Sequence, residues 1–455
     1  MLPIETINPL DGRYLSKVKE LSNYFSESAL FHYRIIVEGE YLIALSENKE
    51  TSLRSFTNKE KTQIRSLYSQ DLKTAERIKE IEATINHDVK AVEYFLKEEL
   101  GETSLKAEIE WLHFALTSED TNNLAYALML AESVKDVLLP TLKKLANEIK
   151  ALSLGSKNSV MLARTHGQPA SPTTMGKELK IYYVRLKRQI DQLKNFRVLA
   201  KINGATGNYN AHFSAFPKVD WPKFSKKFIA SLSTRRGVNL EPNLMTAQIE
   251  PHDTYAELFD IIRRINIIII DFDQDIWRYI SDGWIKQRVI KNEVGSSTMP
   301  HKVNPIDFEN SEGNLGMANA LLNYFSNKLP ISRLQRDLSD STVERNFGVA
   351  FGYTLLAYKS TMKGLAKLEV NEEKLLADLE RHPEVLAEMI QIIFRKEGLP
   401  MPYEQLKELT RGKEITKKKI DIFIDELDIR KDLKKVLKGI GPKDYIGLAD
   451  QLVDL

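Results

Sequence analysis

One stretch of the chain carries an apolar residue at every third or fourth position, and it constrains the fold more than any other feature. Between Thr254 and Ile280 the successive steps between apolar positions are 4, 3, 4, 3, 4 and 4. The residues of this stripe are Leu258, Ile262, Ile265, Ile269, Phe272, Ile276 and Ile280. Because about 3.6 residues complete one turn, the spacing predicts one long helix with a single apolar face. Such a helix buries its face against other helices along its length, as in a bundle.

Other stretches show the same period. Segment 176–200 repeats the stripe at Leu179, Tyr182, Leu186, Ile190 and Leu193. Two further long helices are predicted over 119–152 and 341–368. Strands would be indicated by alternating apolar and polar residues between paired turns, and such segments are nearly absent. The glycine- and asparagine-rich segment 201–220 and segment 295–305 are predicted loops. The pattern therefore predicts an all-α fold.

The 455 residues are enough for two or three domains. Shorter helices are predicted before and after the long ones, and prolines become frequent towards the carboxyl end. We therefore expect an N-terminal helical domain over 1–114, a central domain of long helices over 115–368, and a small C-terminal helical domain over 369–455.

Composition excludes several classes of protein. The chain has no cysteine, which excludes disulfides, thiolate nucleophiles and zinc–thiolate sites. Its eight histidines lack the spacing of metal-binding helices. The formal net charge of +2 argues against a nucleic-acid or membrane-surface binder, although it allows a local basic pocket. The amino terminus lacks the basic and apolar regions of a signal peptide, and the run 265–270 is too short to span a bilayer, so we expect a cytoplasmic protein.

Segment 295–305 reads G-S-S-T-M-P-H-K-V-N-P. Its composition is that of a polar loop between helices, and it lacks the Gly-Lys-Ser/Thr of a phosphate-binding P-loop. Serines beside a lysine and an asparagine can also remove a proton and stabilise the negative charge that develops. The segment resembles the G-S-S-x-M-P-x-K-x-N signature of the fumarase/aspartase superfamily, which includes argininosuccinate and adenylosuccinate lyases.

The resemblance implies a role for each polar residue of this loop. Ser296 corresponds to the general base, and Lys302 and Asn304 to the groups that stabilise the carbanion. Ser297 and Asn310 correspond to residues that contact the substrate.

Segment 164–170, R-T-H-G-Q-P-A, resembles the second signature of the superfamily. By itself, a histidine before a glycine is more often a loop or cap residue. The resemblance implies that His166 is the general acid, a role that suits an imidazole, and that Thr165 contacts the substrate. Glu309 matches the glutamate that pairs with this histidine, although the same position also suits a first-turn carboxylate at a helix N-terminus.

Segment 117–123, T-S-E-D-T-N-N, is typical of a helix start with Thr117 or Ser118 as N-cap. Helix N-terminal amides can also hold a carboxylate, and the resemblance implies that this segment binds the succinyl part of the substrate.

Arginines near a helix start can be solvated surface residues or bidentate phosphate ligands. The resemblance assigns further substrate contacts to Arg13, Tyr14, Asn86, His87, Asp88, Gln248, Arg336, Ser341, Thr342 and Arg345. Many relatives have arginine at the position of Asn86.

The resemblance covers most of the chain, is closest to bacterial adenylosuccinate lyases, and implies what the chain does. It implies a three-domain, all-α homotetramer with a twenty-helix core and shared active sites. The implied reactions release fumarate from adenylosuccinate, giving AMP, and from succinyl-aminoimidazole-carboxamide ribonucleotide, without metal or organic cofactor.

Two alternatives remain open. One is a sister lyase, such as argininosuccinate lyase or fumarase, against which the arginines and Tyr14 argue. The other is a non-enzymatic, crystallin-like structural protein, against which His166, Ser296 and Lys302 argue.

Overall fold

The computed structural model describes residues 3–291, 295, 297–400, 403, 404, 406, 407 and 415–455. Helices dominate these residues. The α-helices are α1 Leu15–Val18, α2 Ser22–Phe25, α3 Glu27–Ser46, α4 Asn58–Ser66, α5 Leu72–Ile85, α6 Asp88–Gly101, α7 Ser118–Ser133, α8 Leu139–Gly155, α9 Met175–Lys194, α10 Asn210–Ala215, α11 Trp221–Arg236, α12 Asp253–Ser281, α13 Ile306–Lys328, α14 Ser339–Glu344, α15 Phe347–Leu365, α16 Glu372–Glu380, α17 Leu386–Lys396, α18 Lys417–Glu426, α19 Lys431–Gly439 and α20 Ala449–Leu452. The strands are β1 Val160–Thr165, β2 Gln168–Thr174, β3 Val198–Ala200, β4 Leu240–Pro242, β5 Ile285–Gln287 and β6 Leu368–Val370.

The apolar stripes predicted from the sequence are buried. On α12, six of the seven stripe residues are buried and Ile280 is half-buried; on α9, all five are buried. A π-helical turn over Val134–Leu138 joins α7 to α8, so the helix predicted over 119–152 is present with slightly extended ends. The all-α prediction is therefore confirmed for the long helices.

One predicted helix ends earlier than expected, and another is interrupted. The helix predicted to reach residue 200 ends at Lys194, because Val198–Ala200 pairs in parallel with Leu240–Pro242 as β3 and β4. The helix predicted over 341–368 is interrupted between α14 and α15. There the Asn346 side chain donates to the Thr342 carbonyl oxygen at 2.9 Å, a local bond that competes with helical backbone bonding.

In the part of the chain that the structure describes, the strands form three two-stranded sheets that the sequence did not indicate. The longest sheet is the antiparallel hairpin of β1 and β2, which turns at His166 and Gly167 with φ of 53° and 75°. Two successive positive φ angles are those of a type I′ turn, whose commonest sequence signals are Asn-Gly and Asp-Gly. The histidine in the first turn position explains why no hairpin was predicted.

The chain divides into two compact units. The first comprises Met1–Lys143, Arg188–Ile267 and Gly313–Lys359, and the second comprises Lys144–Lys187, Ile268–Glu312 and Ser360–Leu455. The three domains predicted from the sequence stay a prediction.

The core of the first unit contains an aromatic cluster and a hydrogen-bonded carboxylate. Phe259, Phe325 and Phe347 lie with ring centroids 5.0 to 5.5 Å apart. On α3, the buried Glu38 carboxylate accepts a hydrogen bond from Thr121 of α7 at 2.7 Å. Helix α3 is thus buried along most of its length, and its charged residues need partners from other elements.

A fully buried ion pair fixes the loop after β3. The Lys201 ammonium lies 3.0 Å from the Asp120 carboxylate, and both side chains are 0% exposed. The ammonium also donates to the carbonyl oxygens of Gly204 and Gln248, at 2.9 and 2.6 Å. Asp120 accepts from the backbone amide of Asn203 at 3.0 Å. One charged pair therefore positions loop 201–204 against α7.

We expect Lys201→Met to lower the free energy of unfolding by about 3–5 kcal/mol, because it leaves the Asp120 charge buried without its partner. Chemical denaturation at one fixed protein concentration measures the change. The matched control is Arg197→Met, which removes the exposed partner of Glu241 and should cost less than about 1 kcal/mol. Equal losses in the two variants would contradict the expectation.

In the second unit, the β1–β2 hairpin packs on α16. Leu162 of β1 forms a small core with Leu379 of α16 and with Val385. A separate core joins α17, α18 and α19 through Leu386, Ile390, Phe394, Leu406, Ile415, Ile420, Ile424 and Leu437. The hairpin that carries His166 is therefore anchored by its strands, while the turn itself is exposed.

Candidate active site

Two motifs that lie far apart in the sequence meet in the first unit. Asp88, the first residue of α6, accepts a hydrogen bond from Arg345 Nη2 at 3.1 Å. The same guanidinium donates through Nη1 to the Ser341 carbonyl oxygen at 3.0 Å and also to the Ser341 hydroxyl. The Arg345 side chain is nevertheless 50% exposed. Three predicted substrate contacts thus form one polar cluster that solvent can reach.

The turn before α6 sets the position of Asp88. Asn86 ends α5 in the left-handed region, with φ of 53°, a conformation that asparagine tolerates better than most residues. His87 is the N-cap of α6, and its Nδ1 accepts from the Lys90 amide at 3.1 Å. The cap requires Nδ1 to be unprotonated. Asn86 and His87 therefore shape the turn that presents Asp88.

Arg336 is held by carboxylates rather than exposed. Its guanidinium lies 3.0 Å from Glu119 Oε2 and 3.1 Å from Asp340 Oδ2, and the side chain is 11% exposed. The interpretation of Arg336 as a solvated surface arginine is therefore wrong. Next to it in sequence, the Gln335 carbonyl oxygen accepts from the Gln248 amide at 3.3 Å. The Gln248 side chain donates to the Ala205 carbonyl oxygen at 3.1 Å.

Two buried carboxyl groups lie beside Arg336. Burial raises the pKa of Glu119, although the positive charge of Arg336 counteracts part of the rise. Burial also raises the pKa of Glu344, and the charge of Glu119 adds to that rise. Two buried carboxylates that repel each other in this way both have a disfavoured charged form. The nearby His252, whose Nε2 lies 3.5 Å from Glu344, has its pKa lowered to about 4 by burial.

The helix start predicted at segment 117–123 is confirmed. Thr117 is the N-cap of α7, Ser118 is the first helical residue, and the Thr117 amide donates to Asp120 at 2.9 Å. Glu119, whose carboxylate pairs with Arg336, follows directly. An ion pair therefore joins the N-terminus of α7 to the segment just before α14.

The N-terminal segment lies close to Arg345. A cavity of about 250 Å³ is lined by Asn8, Asp11 and Leu15 from this segment, and by Arg345 and Gly348. Arg13 is exposed, and its guanidinium lies 5.8 Å from the ring centroid of the half-buried Tyr14. Thr342 is exposed on α14. The N-terminal segment and Arg345 therefore line one cavity.

The second unit carries the predicted acid–base residues. His166 and Thr165 are exposed at the end of the β1–β2 hairpin. Glu309 lies in the first turn of α13, where its Oε1 accepts from Trp277 Nε1 at 2.9 Å. Within the described residues of the single chain no hydrogen bond joins Glu309 to His166, so their pairing stays a prediction.

The predicted loop over 295–305 is confirmed for its described residues, whereas Ser296 lies outside them. Asn304 Nδ2 donates to the Gly295 carbonyl oxygen at 2.6 Å. A Cβ atom at Gly295 would lie 1.9 Å from the Lys302 carbonyl oxygen, so only glycine permits this close approach. The loop is therefore closed at its base. Ser297 and the Lys302 side chain are exposed, and Asn310 is half-buried at the start of α13.

Sequence reasoning missed one residue of the site, Arg34. It lies on the buried helix α3 and donates to Asp88 Oδ2 at 2.7 Å. A signal was present, because Arg34 and Glu38 interrupt the apolar run of H-Y-R-I-I-V-E-G-E-Y at a spacing of four residues. Charged residues in a helix that is otherwise apolar are buried only with partners.

No group of three or more histidine and carboxylate side chains, among the residues that the structure describes, is placed to hold a metal ion. Over the same residues, no helix combines the length and apolarity needed to cross a lipid bilayer.

Comparison with protein families places the chain among known lyases. A family model described as "Lyase" matches residues 12–319, and one described as "Adenylosuccinate lyase C-terminal" matches residues 332–446.

Solved structures with low sequence identity share the fold. A 3-carboxy-cis,cis-muconate lactonizing enzyme from Pseudomonas putida is 18% identical, with a TM-score of 0.73 over 96% of this chain and 95% of that one. A fumarate lyase from Mesorhizobium sp. BNC1 is 15% identical, with a TM-score of 0.74 over 96% of both chains.

Full-length relatives are much closer in sequence. The adenylosuccinate lyase of Haemophilus influenzae is 52% identical over 454 residues, which span 99% of this chain and 98% of that protein. The adenylosuccinate lyase of Escherichia coli K12 is 50% identical, with the same coverage, and that of Dictyostelium discoideum is 49% identical over 98% and 97% of the two chains. Identity at this level over the whole length, together with both family models, shows that the chain belongs to the adenylosuccinate lyase family.

Proposed function

We propose that the chain eliminates fumarate from adenylosuccinate and from succinyl-aminoimidazole-carboxamide ribonucleotide, and that Arg345 holds the nucleotide phosphate. The observation that carries the phosphate assignment is the bonded cluster of Asp88, Ser341 and Arg345. A guanidinium has five N–H groups, and three hydrogen bonds to described residues leave two of them for a ligand. Arginine in this state is suited to bidentate binding of a phosphate.

The proposed chemistry needs one base, one acid and a site for negative charge. Ser296 takes the proton from the substrate carbon beside a carboxylate, and the electron pair left on that carbon spreads into the carboxylate. Lys302 stabilises this dianion. The electron pair then forms the double bond of fumarate as the carbon–nitrogen bond breaks, and His166 protonates the departing nitrogen. Serine is a weak base in water, so the loop has to exclude solvent when it acts.

Asn304 has a structural role in addition to its proposed catalytic role. Because its amide already donates to the Gly295 carbonyl oxygen, it holds the loop closed at the base. We propose that Asn304 contributes to charge stabilisation through the shape of this loop as well as through its own remaining N–H group.

We also propose a homotetramer with shared active sites. Apolar side chains are exposed along three long helices, at Ile181 and Val184 on α9, Ile267 on α12, and Met317 and Tyr324 on α13. Exposed apolar residues that recur on long helices support an interface with further copies of the chain. Light scattering coupled to size exclusion should give four times the chain mass.

An absorbance assay with purified protein tests the activity. We expect adenylosuccinate to be converted to AMP and fumarate, and argininosuccinate to remain unchanged. Turnover of argininosuccinate but not adenylosuccinate would favour a sister lyase, and inactivity on every succinyl substrate would favour a structural protein.

We expect Arg345→Ala to raise the KM for adenylosuccinate roughly thirtyfold, which corresponds to about 2 kcal/mol for a lost charged hydrogen bond. Folding should change little because the side chain is half exposed. The control is Arg77→Ala, which removes an arginine of similar exposure that pairs with Glu80 and Glu98. An unchanged KM for Arg345→Ala would remove the phosphate assignment.

Arg336→Ala is expected to raise KM and also to lower stability. Its removal leaves the buried Glu119 without its cation, which costs several kcal/mol when the carboxylate is charged. Thermal denaturation beside the kinetic assay separates the two effects. A native Tm would contradict the structural part of this expectation.

A further inference from the structure

Arg34 is a buried arginine that the proposed chemistry does not use. Its side chain is 2% exposed and lies on α3, where Nε donates to Asn122 Oδ1 at 2.9 Å and Nη2 donates to Asp88 Oδ2 at 2.7 Å. Its Nη1 has no hydrogen-bond partner among the described residues. Arg34, Asp88 and Arg345 line one cavity of about 160 Å³. A buried guanidinium thus reaches the cluster that carries the proposed phosphate site.

Asp88 is shared between two arginines. The same oxygen, Oδ2, accepts from Arg34 at 2.7 Å and from Arg345 at 3.1 Å. Burial acts to raise the pKa of Asp88, but the charge and hydrogen bond of Arg34, together with the Val89 amide and the charge of Arg345, outweigh burial, so the pKa lies below its usual value. The carboxylate is therefore charged at neutral pH, and the shorter of its two arginine contacts is the one with Arg34.

The charges around the cavity decide what Arg345 can attract. Arg34, Asp88 and Arg345 together carry a net charge of +1, whereas Asp88 and Arg345 alone would be neutral. Glu344 also lines this cavity, and burial raises its pKa. Glu27, a further lining residue, is paired with a lysine at 2.9 Å. The positive charge that remains for an anion therefore depends on Arg34.

We propose that Arg34 is a positioning residue for nucleotide binding: it neutralises Asp88, so that Asp88 orients Arg345 without cancelling the charge that attracts the phosphate. This inference rests on the proposed function, because it takes Arg345 as the phosphate ligand. Arg34 does not touch the substrate. It acts through Asp88, whose carboxylate would otherwise compete with the phosphate for the same guanidinium.

The test measures AMP binding by calorimetry, and kinetics with adenylosuccinate, for Arg34→Gln and for the double variant Arg34→Gln/Asp88→Asn. We expect Arg34→Gln to weaken AMP binding about tenfold, and to raise KM more than it lowers kcat. The double variant removes the competing Asp88 carboxylate together with the Arg34 charge that neutralises it. It should therefore bind AMP several-fold more tightly than Arg34→Gln, which a merely structural role of Arg34 would not produce.

Arg236→Gln is the matched control, because Arg236 is a partly buried arginine of the same unit that pairs with Glu132 through two nitrogens. It should lower the Tm without changing the AMP Kd. Native AMP binding by Arg34→Gln, or a double variant that binds no better than Arg34→Gln, would overturn the proposal.

Arg34→Lys provides a second route if Arg34→Gln does not fold. Lysine keeps the positive charge but loses the fork geometry, so we expect the AMP Kd to rise less than about threefold. A rise of tenfold or more in a folded Arg34→Lys variant would overturn the charge argument. The Arg345→Ala variant tests the phosphate assignment separately. If Arg345 does not hold the phosphate, this variant binds AMP with native affinity, and the proposed function fails at that point.

Discussion

Replacing Ser296 with alanine is expected to lower kcat by about three orders of magnitude, the middle of the range for removal of a general base. The oligomeric state and the Tm should be unchanged, because the base of the loop is held by described groups on either side of Ser296. Asn304 bonds to the Gly295 carbonyl oxygen, and Gly295 packs closely on Lys302. Steady-state kinetics with adenylosuccinate, together with thermal denaturation and light scattering, measure these quantities.

Ser297→Ala is the matched control, because it removes the neighbouring hydroxyl from the same exposed loop. As a proposed substrate contact, Ser297 should affect KM more than kcat, and kcat should fall less than about tenfold. If Ser296→Ala retains near-native kcat while Ser297→Ala is inactive, Ser297 is the base and the assignment of Ser296 is wrong.

Mixing two inactive variants should restore activity if active sites are shared between subunits. The resemblance to the superfamily implies that the histidine and the serine of one site come from different chains. His166→Ala and Ser296→Ala subunits, dissociated together and reassembled, can then form a site with both native residues. Each residue is native half the time in random equal mixing, so roughly a quarter of the sites should be active in a closed symmetric oligomer.

The gain should be large, because each parent is expected to lack most of its activity. Each variant treated alone is the control, and it should gain nothing from dissociation and reassembly. Native mass spectrometry of differently labelled subunits establishes that mixed tetramers have formed. Mixed tetramers that stay as inactive as their parents would mean that His166 and Ser296 act within one chain, or that one of the two roles is wrong.

The sequence was sufficient to predict the long helices and the loops that separate them. The apolar stripes of α9 and α12 could be predicted because helical periodicity depends only on residues that are three or four positions apart in the sequence. The N-cap at Thr117 and the polar loop at 295–305 are local in the same sense. Resemblance to a family added the identities of the site residues, and full-length relatives confirm the family. Their individual roles stay predictions.

The short strands and the exact helix ends could not be predicted, because they depend on partners that are distant in the sequence. β3 forms only because Leu240–Pro242 lies beside it, and the hairpin turn at His166 adopts a geometry that its residues do not signal.

The tertiary structure alone decided which charged residues are partners. The sequence contains Arg34, Asp88 and Arg345 as three unconnected residues, yet the fold brings one carboxylate between two guanidinium groups. It likewise places Arg336 against the buried Glu119, where a solvated position was equally plausible from the sequence. A side chain's charge is encoded locally, but its partner and its exposure to water depend on packing between elements. These two factors determine whether an arginine stabilises the fold or remains available for a phosphate.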